Sequence, residues 1–303
     1  MMRGTARSAA AARVLGVAAT ALVLGAAGAR ALPFDTVMPG GRSTAMGGVQ
    51  SVFCQGADAV LGNPADLGFV GEGGVLMMTR DWFDSGLRSW SAAWAQPLGP
   101  AGLGVAWHRF GDSDLWTEDV LALGGAWSQE HRRTGALIGL GASLKGLQVA
   151  APAYEGYNYQ GDFTTWAVDA ALTVEPTSFL RVAHVAENLA CGDMTLLGGR
   201  PRWRAAARRH RTGLAFRWRG DLMLGMEHVW QEDRNVRLNF GAELSFFEAF
   251  RVRGGAGRNY ASAGFGVDAK RWRFDGSYES RGDLGTSLVF SLRFLLGPER
   301  ETP

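Results

Sequence analysis

Between Arg211 and Leu296 apolar and polar residues alternate one by one, segment after segment, with short breaks between. Over 270–279, Trp272, Phe274 and Tyr278 share one side, while Arg271, Arg273, Asp275, Ser277 and Glu279 share the other. The closing segment repeats the pattern, with Leu288, Phe290, Leu292, Phe294 and Leu296 opposite Ser287, Ser291 and Arg293. A period of two is the strand period, because successive side chains stand on opposite faces of a sheet. The same reading of the whole chain predicts fourteen strands, at 75–82, 87–97, 101–110, 117–128, 133–149, 163–175, 178–187, 212–219, 221–231, 235–247, 249–258, 260–268, 270–279 and 285–296.

The breaks carry a second regularity. Those after even-numbered segments are tight: Leu98-Gly99-Pro100, Glu130-His131-Arg132, Pro176-Thr177, Gly220, Glu248 and Ala269. Those after odd-numbered segments are mostly longer and more polar, the longest being 150–162 and 188–211. Short turns at one rim and long loops at the other characterise outer-membrane barrels, whose tilted strands are about ten residues long. Nine Trp (90, 94, 107, 116, 127, 166, 218, 230 and 272) fall near segment ends or on the apolar face, where a membrane–water interface favours them. The predicted fold class is all-β: a transmembrane up-and-down antiparallel barrel of about 14 strands. A barrel that wide has a lumen too large for side chains alone to fill. Residues 32–74, rich in Gly, Pro, Asp and Asn and without clean periodicity, are the natural filler, with a short helix expected somewhere in 45–60.

The first 31 residues read differently. Arg3, Arg7 and Arg13 make a basic start, 14–28 is uncharged and apolar, and Ala29-Arg30-Ala31 is a small-x-small cleavage site. A secretory signal peptide with a mature start at Leu32 is expected; the apolar core falls short of the ~20 residues of a membrane span. The chain then divides into the signal peptide 1–31, a hatch segment 32–74, a barrel 75–296 and a tail 297–303. The whole chain of 303 residues carries a net charge of +2, and removing the four leader arginines leaves about −2. A body so nearly neutral does not suit a dedicated nucleic-acid binder. Cys54 and Cys191 are compatible with a disulfide, which export permits, or with two free thiols.

Candidate chemistry is sparse. Gly139-Leu-Gly141 lacks the third glycine of a dinucleotide loop, and Leu147 stands where a phosphate loop of the spacing 141–146 needs Lys. The five histidines show no zinc spacing, His184 and Glu187 fall on opposite strand faces, and no Gly-x-Ser-x-Gly elbow exists. No cofactor, no metal and no enzyme activity is therefore expected. Arg200, Arg202, Arg204, Arg208, Arg209 and Arg211 form the one charge run, in the longest loop. At the outer rim these arginines suit the phosphates of lipopolysaccharide or simply form a solvated loop. Inward charges such as Arg237, Glu243, Arg271, Arg273, Asp275, Glu279 and Arg293 can pair across the lumen and hold hatch to wall.

The mature chain opens with Gly41-Arg-Ser-Thr-Ala-Met-Gly-Gly48, then Ala57-Asp-Ala59 and Asn63-Pro-Ala-Asp-Leu67. This resembles the start of PorV/PorQ-type outer-membrane proteins, relatives of the FadL-type long-chain fatty-acid transporters. Asp66 stands where that family most often has Gly. Phe240-Gly-Ala-Glu-Leu244, Arg251-Val-Arg-Gly-Gly255, Ala263-Gly-Phe-Gly266, Arg273-Phe-Asp275 and 284–294 follow the family's closing strands in order. The last strand also resembles a barrel-assembly signal, although the tail runs past its final aromatic. The resemblance implies a fourteen-stranded barrel with an inward hatch carrying Met46, Gly47, Gly48, Asp58, Asn63 and Pro64. It also implies one of two jobs: moving hydrophobic small molecules or docking secretion-system proteins. For the first job, the loop residues Tyr154, Tyr157 and Tyr159 are the expected start of the path. The alternative is an assembly barrel without a through-path, contacting partners or lipopolysaccharide by its long loops.

Overall fold

The computed structural model describes residues 33–37, 40–150, 163–195, 202–218, 221–232, 234–247 and 249–297. The leader, Tyr154, Tyr157, Tyr159 and Arg200 lie outside them. Fourteen strands form one closed antiparallel barrel: β1 (Gly74–Trp82), β2 (Leu87–Leu98), β3 (Ala101–Asp112), β4 (Trp116–Glu130), β5 (Leu137–Ala150), β6 (Phe163–Thr177), β7 (Leu180–Cys191), β10 (Arg209–Trp218), β11 (Leu222–Gln231), β12 (Arg237–Phe246), β13 (Phe250–Gly257), β14 (Tyr260–Ala269), β15 (Trp272–Ser280) and β16 (Thr286–Leu295). A two-stranded ribbon, β8 (Asp193–Thr195) and β9 (Arg202–Arg204), rises from the connection between β7 and β10. β1 pairs with β16 from Gly74↔Leu295 to Asp81↔Leu288, so no backbone edge is left bare. Among the described residues no helix is long and apolar enough to cross a membrane.

The alternation sorts the two faces as expected. On β16, Leu288, Phe290 and Leu292 are exposed outward while Ser287, Val289, Ser291 and Arg293 are buried inward. Both chain ends of the barrel and most of the tight turns share one rim; the two longest connections, 151–162 and 192–208, share the other.

Several predicted boundaries shift, among them the end of the seventh strand, which runs to Cys191 and not 187. The fifth strand starts at Leu137, not 133, because 131–136 is a turn: the His131 N–H donates to the Ala136 carbonyl, and Gly135 sits at φ +69°. The connection between β13 and β14 is a tight two-residue turn at the long-loop rim, where Asn259 adopts φ +65°. The eighth predicted strand begins at Arg209 rather than 212, for reasons of charge taken up below.

Residues 40–73 touch every strand of the closed sheet, so they lie inside it. Their short helices pack on β1 to β6 and on β13 to β16. Asp66 reaches Arg181 on β7, Ser51 lies against Gly213 on β10, Gln50 meets Glu227 on β11, and Arg42 pairs with Glu243 on β12. The expected helix in 45–60 is broken into a turn of helix at Gly41–Ala45, a 3-10 turn at Gly56–Asp58 and a further turn at Ala59–Gly62. Gly47 and Gly48 separate them at φ +69° and +72°, a region that Gly enters without strain.

Candidate functional site: the plugged lumen

The wall makes room for the segment by omitting side chains. Gly225, Gly241 and Gly255 lie side by side in register across β11, β12 and β13. A Cβ on Gly241 or Gly255 would strike the backbone of Met46 and Gly47, and one on Gly225 would strike the Phe53 ring. Gly139 and Gly141 on β5 do the same for Phe69, Ala65 and Pro64, which explains glycines that otherwise suggest half a nucleotide loop. Where the wall is not Gly it is often Ala. Ala93, Ala95, Ala106 and Ala122 pack on Ala57, Ala59, Val60 and Leu67 of the segment. Small wall residues let backbone approach backbone, so dispersion contacts are dense although few side chains are large.

Charge then fixes the register of segment and wall. Arg42 gives two hydrogen bonds to Glu243, at 3.0 and 2.8 Å, and its remaining nitrogen, Nη1, donates to the Phe53 carbonyl and to Gln55. Glu243 also takes a 2.5 Å bond from Arg253, which turns to Asp275 at 2.6 Å. This buried relay of alternating charge leaves each ion with a counter-ion, the condition under which burial of charge is tolerable. Asp58 accepts from Arg293 at 2.9 Å and from its own Gln55 N–H at 3.0 Å. Glu227 grips backbone, accepting from the N–H groups of Gln50 and Ser51 as well as from Arg211.

The predicted hatch residues all face the lumen, and each makes a nameable contact. Met46 is fully buried in a cluster with Val49, Val52, Phe53, Ala183 and Ala215. The Gly47 N–H donates to Ser262 at 3.1 Å, its carbonyl accepts from the Tyr260 hydroxyl, and the Gly48 carbonyl accepts from Asn239. Asn63 donates to the Ser51 carbonyl at 2.6 Å and to Thr173 at 2.9 Å, while its own oxygen caps Ala65 N–H. Pro64 opens the next 3-10 turn, where its missing N–H costs nothing.

Asp66, which departs from the family pattern, was not foreseen as part of this set. It accepts from Thr173 at 2.8 Å and from Arg181 at 2.5 Å, and Arg181 also holds Glu175 at 3.0 Å. Burial pushes the Asp66 carboxyl up to about 6, against the pull of Arg181 and Thr173. Burial likewise raises Asp58, opposed by Arg293 and Arg42, and lifts the Cys54 thiol well above its ordinary value. Cys54, buried in the segment, and Cys191, at the end of β7, are both free thiols.

The arginine run divides. Arg209 and Arg211 are not loop residues facing lipopolysaccharide; they point into the lumen from β10. Arg209 pairs with Glu187 at 2.9 Å and with Asp35 at 2.9 Å, and Arg211 bridges Glu187 and Glu227. His210 and Thr212 take the outward positions between and beyond them, so the period of two continues through a stretch with no apolar member to display it. Glu187 faces inward and His184 outward, as the spacing requires. Arg204 donates to the Asn188 carbonyl at 2.6 Å, Arg208 is half-buried, and Arg202 belongs to β9. Of the inward charges foreseen, Glu243, Asp275, Glu279 and Arg293 are buried in the lumen. Arg271 lies in the turn after β14 instead.

Residues 40–73 thus sit inside a closed fourteen-stranded antiparallel barrel. No described protein family and no curated protein matches the sequence. Solved structures do match in fold. The toluene transporter TbuX of Ralstonia pickettii superposes with a TM-score of 0.60 at 13% identity, over 85% of this chain and 98% of that one. The toluene transporter TodX of Pseudomonas putida gives 0.56 at 12% identity, over 86% and 99%. A FadL homologue of Pseudomonas aeruginosa gives 0.58 at 12%, over 84% and 97%. At these identities the likeness is one of fold. The PorV/PorQ side of the resemblance, and the secretion role with it, rests on the short motifs alone.

Proposed function

We propose that this chain is an outer-membrane conduit for small hydrophobic molecules, gated by residues 40–73, and not an enzyme. One observation carries the reading: most of the lumen is filled by one chain segment, residues 40–73, joined to the wall by hydrogen bonds and ion pairs as well as by packing on small residues. Its polar contacts can exchange for water or for one another, and the wall it packs on is mostly Gly and Ala. The fold shared with two toluene transporters and a FadL homologue supports the same class of cargo. On the outer face, over Gly225, Gly241 and Gly255, lies an apolar hollow of about 540 Å³ lined by Leu214, Phe216, Leu224, Met226 and Phe240. Only backbone separates it from Met46 and Gly47, so a hydrophobic molecule can bind within one layer of the plug.

The test locks the plug. A Cβ built on Gly213 lies 3.4 Å from the Ser51 Cβ, close to the ~3.8 Å of a disulfide. In a background with Cys54 and Cys191 changed to Ala, Ser51→Cys with Gly213→Cys should abolish uptake of a hydrophobic probe when oxidised and restore it on reduction. Uptake equal in the two states would overturn the gating role.

A second reading, a barrel without a through-path, is favoured by one feature: the long-loop end of the lumen is itself filled, by Phe34, Ala205 and Ala206 against Val120, Leu147 and Ala167. The same disulfide experiment decides, since such a barrel passes no probe in either state.

A further inference from the structure

The outer face of the barrel is apolar, but not at every height. Near the long-loop end of β7, β10 and β11 it turns polar. Thr212 stands opposite His184 on one side and His228 on the other, and His210, two residues nearer the rim, stands opposite Trp230. His184, Thr212, His228 and Trp230 are exposed on this face, and His210 is half-buried. Trp90 and Trp166 are exposed at the same end of β2 and β6. Amphipathic rings at a shared height mark the membrane–water boundary, so these histidines lie at the level of lipid headgroups.

The rings form a chain with an open end. His184 Nδ1 lies 2.9 Å from the Thr212 hydroxyl, and its Nε2 lies 3.4 Å from His210 Nδ1. Both nitrogens of His184 are therefore engaged, whereas among the described residues nothing bonds to His210 Nε2 or to the His228 ring. When the Thr212 hydroxyl donates to His184 Nδ1, His184 Nε2–H donates to His210 Nδ1, and the N–H at His210 Nε2 is left to donate outward. An anion at that end selects this direction and favours a protonated ring; a cation there would select the reverse. His210 and His228 are diagonal neighbours about 7–8 Å apart, close enough for both rings to converge on one phosphate group. A polar pair elsewhere on the outer face behaves differently: Arg109 closes on Asp119 through bonds of 2.8 and 2.9 Å and leaves no such end.

Directly below the histidines the surface sinks. Leu214 and Met226 follow Thr212 and His228 by two residues, about 7 Å along the strand, and line the near end of the apolar hollow. The floor of the hollow is Ala242, Gly254 and Ala256, outward positions whose small side chains break a belt of large ones. A hollow that opens on the hydrocarbon is covered by acyl chains, and the polar patch above it selects whose.

We propose that this wall binds a single molecule of lipid A, with one acyl chain in the hollow and a headgroup phosphate accepting from His210 Nε2 and the His228 ring. Long loops of such barrels face outward from the cell, and lipopolysaccharide is the phosphate-bearing lipid of that leaflet. The site replaces the one expected at the arginine run: Arg209 and Arg211 turn inward to Glu187 and Glu227, while His210 between them turns out to the lipid. The chain in the hollow would lie one backbone layer from Met46 and Gly47, so a cargo molecule using the hollow has to displace it. The binding itself does not depend on transport.

The experiment strips the protein of lipid in detergent and titrates it with purified lipid A, read by native mass spectrometry. A single molecule should bind. Lipid A with its phosphates removed should bind about tenfold or more weakly, as expected for a lost charge-assisted hydrogen bond. Phosphatidylglycerol, which offers a phosphate from another source, should bind more weakly than lipid A; equal or tighter binding would overturn the assignment to lipid A. His184→Ala with His210→Ala should weaken intact lipid A by a similar factor and leave the dephosphorylated form unchanged, a selective loss that a merely structural role of the rings would not produce. Gly254→Leu fills the hollow from outside, where a Cβ meets only the Ser262 carbonyl at 4.0 Å, and should weaken both forms alike. If either variant fails to migrate as a folded barrel, the wild type still decides, since equal affinity for lipid A with and without phosphate refutes the headgroup site. Uptake is not part of the readout, so failure of the gating role and failure of this site are told apart.

Discussion

The outer belt and the inner seat of this barrel come from the same strands, residue by alternate residue, yet obey different rules. Outside, Phe240, Val252, Phe265, Phe274 and Phe290 are exposed and interchangeable in kind, because hydrocarbon asks only that a side chain be apolar. Inside, one position away, Gly241, Arg253, Gly264, Asp275 and Ser291 each face a named atom of the plug or of another wall residue. The outer face is specified by composition, the inner by partner. Tolerance to substitution should therefore alternate along every strand with the period of the sheet itself.

The sharpest way to break that comparison is Gly255→Val on β13. Its Cβ meets the backbone of Met46 and Gly47, which cannot swing aside as a side chain would. The plug should fail to seat, at roughly 3 kcal/mol or more, seen as cleavage of residues 40–73 by added protease; wild-type resistance in the variant would break the contrast. Next comes Glu243→Gln, which strips Arg42 of its carboxylate partner and leaves Arg253 with Asp275 alone. Removing one member of a buried charge network costs about 3–5 kcal/mol, read as a fall in the temperature at which the band shifts on an unheated gel. Phe290, at the centre of β16 and facing outward, offers a matched pair. Phe290→Arg should cost about 2–4 kcal/mol at the bilayer midplane, and Phe290→Leu less than about 1.5.

The smallest effect is one of pH. Asp66 has a folded-state value near 6, above the 3.8 of an unperturbed Asp. Between those values the folded chain holds more protons than the unfolded one, so stability falls as pH rises through that window and levels off above it. Comparing unfolding of wild type with Asp66→Asn across pH 4 to 7 isolates this contribution. A slope that persists in the variant would assign it elsewhere, with Asp58, also raised, as the next carboxyl to test.

Much of the fold was legible because lipid imposes a local rule. An apolar side chain at every second position marks a strand whatever its partner, and all fourteen barrel strands lie where the alternation puts them. The rule fails where the outward residues are themselves polar. His210 and Thr212 hide the start of β10, and the run of arginines beside them reads as a solvated loop, although Arg209 and Arg211 are the most deeply committed ion-pair donors at that end. Their acids, Glu187 and Glu227, lie on neighbouring strands and carry no mark in sequence of what they face. The resemblance pointed to 46–48, 58, 63 and 64 but not to the ion pairs of Arg42 and Asp66, since each depends on a wall residue more than a hundred positions away.

The plug is made before any strand of the barrel, yet its seat is assembled from all fourteen strands and closed by the pairing of β1 with β16. Until that last pairing forms there is no enclosure for residues 40–73 to occupy. A stalled or truncated barrel would leave its own N-terminal stretch dangling and open to proteases, so the molecule carries at its front end a built-in mark of whether its back end was ever finished.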